Sequence, residues 1–207
     1  MAFHRYNMLA FLSRFIDSPD LECDLFKALA LLPAACFPVP SGPWLAGGAV
    51  RRTISKGDLD SDFDFFFRDE AQKESFVSAL KGVGGYMMGT NSHAQTIAVT
   101  IDGTRLIVQA ITMAYYESLE ACLDSFDFTI TQCGYDGTDL VVGEHTLWDL
   151  ARKRLALHKL TYGVSTVRRL IKYTKQGFTA CSGSLASILE QTIADPTTIH
   201  REVNYID

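Results

Sequence analysis

The sequence has no apolar run near the roughly 20 residues needed to cross a membrane as a helix, which argues against a membrane span. Cysteine is scarce and scattered. The five residues Cys23, Cys36, Cys122, Cys133 and Cys181 form no CxxC and no Cys/His cluster with zinc-like spacing, so free thiols in a reducing cytoplasm are expected. There is no excess of basic charge. A net charge of −5 argues against a broad nucleic-acid-binding surface but allows a local basic groove, or a triphosphate carried with magnesium. No GxxxxGK[ST] is present, which excludes a P-loop, and no GxSxG or Cys/His pairing supports a hydrolase. Internal repeats and low-complexity stretches are also missing. The opening MAFHRYNMLAFLSRF lacks the charged start, apolar middle and cleavage site of a signal peptide, and reads as a helix of the mature protein.

What remains is an ordinary globular composition, 47% apolar and 21% charged over 207 residues. Residues 6–16 place Met8, Leu9, Leu12, Phe15 and Ile16 on one helical face. Ser18-Pro19 opens a second helix, which ends in the proline-rich loop at 33–43. Trp44-Leu45-Ala46 is a short strand, Ala49 to Ser55 a short helix, and Lys56-Gly57-Asp58 a turn. Residues 61–68 read as a strand and 70–81 as a helix. Two β-rich runs, 94–101 and 104–111, join at Asp102-Gly103, a hairpin signal. A helix over 116–124 and strands over 126–133 and 139–142 follow, and from Leu147 the chain reads as helices. The expected class is α+β: a small mixed sheet flanked by helices. Residues 1–145, N-terminal helices included, form the expected main domain, and 146–207 a helical segment packed on it.

The chemistry concentrates at Asp62-Phe63-Asp64. Alternation puts both carboxylates on one face of the strand, about 7 Å apart, with Phe63 and Phe65 on the other. Two like charges so close are costly unless a cation neutralises them. Hard oxygen donors at this spacing suit Mg2+ or Mn2+. A solvated edge strand carrying Asp58, Asp60, Asp62 and Asp64 is the plain alternative.

Upstream, Leu45-Ala46-Gly47-Gly48-Ala49-Val50-Arg51 reads as strand, tight turn and helix start. Glycines let a phosphate approach the backbone, and the start of the helix offers unpaired N–H groups. Taken together, GGAVRR followed by SDFDFFF resembles the DNA polymerase β-like nucleotidyltransferase superfamily, and within it the head of CCA-adding enzymes and bacterial poly(A) polymerases. The motif spans residues 44–67. The resemblance implies that Gly47 and Gly48 hold a triphosphate and that Arg51 contacts phosphate or braces the site. It also implies that Asp62 and Asp64 bind the metal. A nucleotidyl group would then pass from an NTP to an RNA 3′ end, tRNA-like or otherwise, or to another hydroxyl.

The superfamily carries a third carboxylate on a later strand. Here the run Thr104–Ile111 has no acid, and Gln109 is the polar residue near its centre. Asp127, between Phe126 and Phe128, is either that third metal-binding acid or a structural one. Arg52 stands where CCA-adding enzymes carry Asp. Two outcomes follow: an active transferase, or a protein of the same fold that binds nucleotide or nucleic acid without turnover. Later in the chain, Arg168, Lys172 and Lys175 share a helical face, and the resemblance points Arg168 and Lys172 towards a triphosphate. Arg152, Lys153 and Arg154 form a second basic cluster, either a groove for a strand or a solvated helix surface.

Overall fold

The computed structural model describes residues 2–14, 17, 23–55 and 62–200. Its centre is an eight-stranded mixed sheet in the order β1-β8-β7-β2-β3-β6-β5-β4. The strands are β1 (Phe3–Asn7), β2 (Trp44–Ala46), β3 (Phe63–Phe66), β4 (Tyr86–Thr90), β5 (Ala94–Ile101), β6 (Thr104–Ile111), β7 (Cys133–Tyr135) and β8 (Asp139–Gly143). Every neighbouring pair is antiparallel except β3 and β6, which run parallel at mid-sheet. A parallel pair needs a long crossover. Here it is the helix Glu70–Gly82 followed by β4 and β5.

Local sequence explains these pieces. Asp102 and Gly103 both adopt positive φ, 49° and 77°, so the β5–β6 turn has the twist a two-residue hairpin needs. The Asp69 side chain accepts from Gln72 N and caps the crossover helix. Lys73, Phe76, Val77 and Leu80, at helical spacing, form its buried face. Alternation along β2 and β3 divides the apolar residues between two layers. Leu45, Phe63 and Phe65 join the larger core on one face, with Val108, Ala110 and Phe76. Trp44, Ala46 and Phe66 join the second, beneath the helix Leu119–Asp124. A third cluster, Phe128, Ile130, Leu150, Leu155 and Phe178, anchors the C-terminal elements. Those are the helix Thr146–Ala151, the parallel pair β9 (Arg154–Leu155) and β10 (Thr179–Ala180), and the helices Gly163–Lys175, Ser182–Ala194 and Thr197–His200.

The mixed α+β class agrees with the reading from sequence, but several elements differ. Of the expected helix over 6–16, Met8–Leu12 is helical but Tyr6 and Asn7 belong to strand β1, while Phe15 and Ile16 lie outside the described residues. Arg5 explains the strand: extended backbone beside β8 lets one guanidinium reach Asp136, Asp139 and Glu120. Asn7 then caps the helix by accepting from Ala10 N. The expected strand over 126–133 shrinks to β7. Before it, Thr129–Thr131 form a 3-10 turn. The Thr131 hydroxyl donates to Phe128 O and the Thr129 hydroxyl to Asp149, local bonds that compete with a ladder. The Ser18-Pro19 helix start and the Lys56-Gly57-Asp58 turn lie outside the described residues, as do Asp58 and Asp60.

Candidate nucleotide site

The glycine turn and the acidic strand meet where β2, β3 and β6 lie side by side. Gly47 has φ 81° and ψ −126°, a conformation that favours glycine. Its N–H donates to Cys133 O at 2.9 Å, tying the turn to β7, and its carbonyl accepts from Arg51 N at 2.9 Å. A Cβ on Gly47 would lie 3.9 Å from Asp64 Oδ2 and 3.6 Å from the Phe126 ring, so the turn borders the carboxylate directly. Gly48 opens the helix Gly48–Ile54.

Asp62 precedes β3 and Asp64 lies within it, opposite Gln109 in the parallel register. Gln109 therefore occupies the strand position expected to carry a third acid. It is buried, and its Nε2 donates to Asp62 Oδ2 at 2.5 Å. A neutral amide here satisfies one carboxylate oxygen without adding negative charge. Asp64 is pushed up to about 7. Burial is the main cause and the Asp62 charge the next, while Lys172 and Arg169 pull the other way. A cation between the carboxylates would relieve the same repulsion.

The opposing positive charge comes from the helix Gly163–Lys175. Lys172 acts on Asp64, as does Arg169, a residue the sequence reading passed over in favour of Arg168. The signal for Arg169 was present: it lies three residues before Lys172, so the two share a helical face. Arg169 Nη1 also bonds Asp127 Oδ2 at 2.9 Å. Burial works to lower the Arg169 pKa, but Asp127, Tyr173 and Asp64 together raise it.

Asp127, only 7% exposed, is thus engaged by an arginine. Among the described residues, no three His, Cys, Asp or Glu side chains group as metal ligands would. Arg51 is buried and held by the C-terminal elements. It donates to Gln176 Oε1 at 3.0 Å and lies 5.3 Å and 5.6 Å from the ring centres of Tyr173 and Phe178. These are the contacts of a brace between the glycine-turn helix and the helix bearing Arg169 and Lys172.

Residues 9–153, well over half of the chain, match the family described as Gabija anti-defense 2 family protein. The chain belongs to that family. No curated protein matches the sequence. Among solved structures, the fold is similar to that of the Thermotoga maritima CCA-adding enzyme complexed with tRNA_CCA. The TM-score is 0.64 at 16% identity, covering 98% of this chain and 48% of that one. An apo form of a CCA-adding enzyme gives 0.60 at 16% identity, covering 96% and 48%. A CCA-adding enzyme complexed with CTP gives 0.59 at 15% identity, covering 96% and 48%. The chain spans about half the length of these structures. At such identities the likeness establishes the nucleotidyltransferase-like fold.

Proposed function

We propose that this Gabija anti-defense 2 family member binds a nucleoside triphosphate with Mg2+ or Mn2+ and transfers its nucleotidyl group to a hydroxyl acceptor, with an RNA 3′ end as the acceptor class. The observation that carries this reading is the Gly47 turn bordering the Asp64 carboxylate, whose charge is coupled to that of Asp62 and opposed by Lys172 and Arg169. The donor set fits one hard divalent cation, because Asp62 and Asp64 repel each other and offer only oxygen. Such a cation, when bound, supplies charge neutralisation for the phosphates. In this reading Asp62 and Asp64 hold the cation, and Gly47 and Gly48 give the triphosphate close access to the backbone. Lys172 and Arg169 balance its charge. Arg168 belongs to the same helix and is kept as a second phosphate contact. Asp127 acts through Arg169, fixing where that guanidinium sits. RNA as acceptor is supported by the solved relative described as complexed with tRNA_CCA.

A second reading has its own observation. Gln109 donates to Asp62 from the position where an acid was expected, and an amide is a poor general base. On this reading the protein binds a nucleotide and does not turn it over, and sequestration serves the anti-defence role in the family's name.

One assay separates the two. The protein is incubated with α-labelled NTPs, Mg2+ or Mn2+ and pooled tRNA, beside Asp62→Ala/Asp64→Ala. Transfer by the wild type that the double variant loses supports the transferase. Saturable NTP binding without transfer supports the binding protein. Transfer undiminished in the double variant refutes the carboxylate assignment in both.

A further inference from the structure

We infer that the surface around Trp148 binds an unpaired RNA strand. The inference takes its choice of RNA from the acceptor proposed above, but the surface is built from other residues. The chain has two tryptophans; Trp44 is 1% exposed, whereas Trp148 is 58% exposed. Trp148 sits on the helix Thr146–Ala151, and one turn later the Arg152 guanidinium lies 3.9 Å from the centre of its ring. The arginine steadies the indole, and more than half of the residue still meets solvent.

Arg152, Lys153 and Arg154 follow the helix in succession, and the acids nearest in the chain are exposed Glu144, four residues before Trp148, and Asp149. Asp149 is 2% exposed, lies 3.8 Å from Arg154 Nε and accepts from the Thr129 hydroxyl, so its charge is spent inward. Lys153 Nζ lies 5.2 Å from the Phe178 ring centre and supports the turn from behind. Its own φ of 53° is unusual for a residue other than glycine. The Lys153 carbonyl accepts from Thr179 N at 2.7 Å, which pins the turn to β10. The result is a solvent-facing indole with one arginine on its ring and a short basic run after its helix, on a protein of net charge −5.

A stacked aromatic beside guanidinium groups suits a single strand, because bases stack on the ring while phosphates meet the cations. Trp and Arg also anchor protein interfaces, where an aromatic is buried in an apolar centre. Here the Arg152 guanidinium lies over the ring and two more basic residues follow it in the chain, which favours a polyanion.

The test titrates a 12-mer oligoadenylate RNA into the full chain, read by tryptophan fluorescence and by anisotropy of labelled RNA. Because Trp44 is buried, quenching reports on Trp148. We expect saturable quenching, and an affinity about fivefold or more weaker in Trp148→Ala. Trp148→Phe should restore most of it. Arg152→Gln and Arg154→Gln should each lower the salt dependence by about 0.7 in log–log slope. Asp62→Ala/Asp64→Ala should bind RNA as the wild type does, so loss of transfer and loss of strand binding are distinguishable. Equal RNA affinity in wild type and Trp148→Ala would overturn the inference, as would tighter binding of the deoxy-oligonucleotide. Quenching by a purified protein partner but not by RNA would reassign the surface to protein.

Discussion

In metal-free buffer, replacing Asp64 with Asn should stabilise the protein, and the gain should grow with pH. The unfolded chain titrates this carboxyl near 3.8, and the folded chain near 7, because burial and the Asp62 charge oppose its ionisation. The folded state therefore holds its proton to higher pH, and ionising the carboxyl costs stability. The cost is absent below about pH 3.8, builds from there to about 7, and is complete above it. Carrying the group from 3.8 to about 7 corresponds to about 4 kcal/mol at full weight. Asp64 is partly exposed, so solvent screening reduces this to roughly 2 kcal/mol. For a chain of this length that is a rise of about 4–8 °C in Tm. Differential scanning calorimetry in EDTA at pH 5 and pH 8 measures it. The expected result is a gain for Asp64→Asn at pH 5 that is somewhat under half of the gain at pH 8. Adding Mg2+ should then stabilise the wild type and leave Asp64→Asn nearly unchanged. A variant less stable than wild type at pH 8, or a gain independent of pH, would show that ionised Asp64 does not destabilise the metal-free protein.

Three further substitutions probe the frame. Gly137→Ala places a Cβ 2.0 Å from Pro38 O at a φ of 91°, and should cost more than about 2 kcal/mol in urea unfolding. Arg5→Ala removes the common partner of Asp136, Asp139 and Glu120, and Asp136 is 1% exposed; a loss of about 2 kcal/mol is expected in the same assay. Gln109→Glu adds a third carboxylate beside Asp62. It should destabilise the metal-free protein at pH 8, tighten Mg2+ binding by calorimetry and raise any label transfer.

The part of the site nearest the sequence motif was legible because its geometry is local. Gly47, Gly48, Asp62 and Asp64 fall within one strand-turn-helix unit and the strand beside it, and the register brings Gln109 opposite Asp64 as the run 104–111 suggested. Arg169 was harder to read. Its place beside Asp64 depends on how the helix is rotated against the sheet, which Asp127 helps to fix from 42 residues away. The strand at Phe3–Asn7 was hidden for a similar reason. Apolar spacing at 8–12 is helical and biases the residues before it, whereas the strand depends on β8, more than a hundred residues later. Strand β4 gave little signal because all five of its residues are exposed, leaving no alternation between core and solvent. The two-residue pair β9–β10 is too short for any period and rests on Thr179 meeting Lys153 O.

Asp62 and Asp64, beside the Gly47 turn, are the proposed seat of a metal-bound nucleotide. Isothermal titration of a non-hydrolysable NTP with Mg2+ into the wild type and Asp62→Ala/Asp64→Ala tests it most directly. The wild type should show saturable, Mg2+-dependent binding that the double variant loses. Binding of equal strength in both proteins, or with Mg2+ withheld, would contradict it.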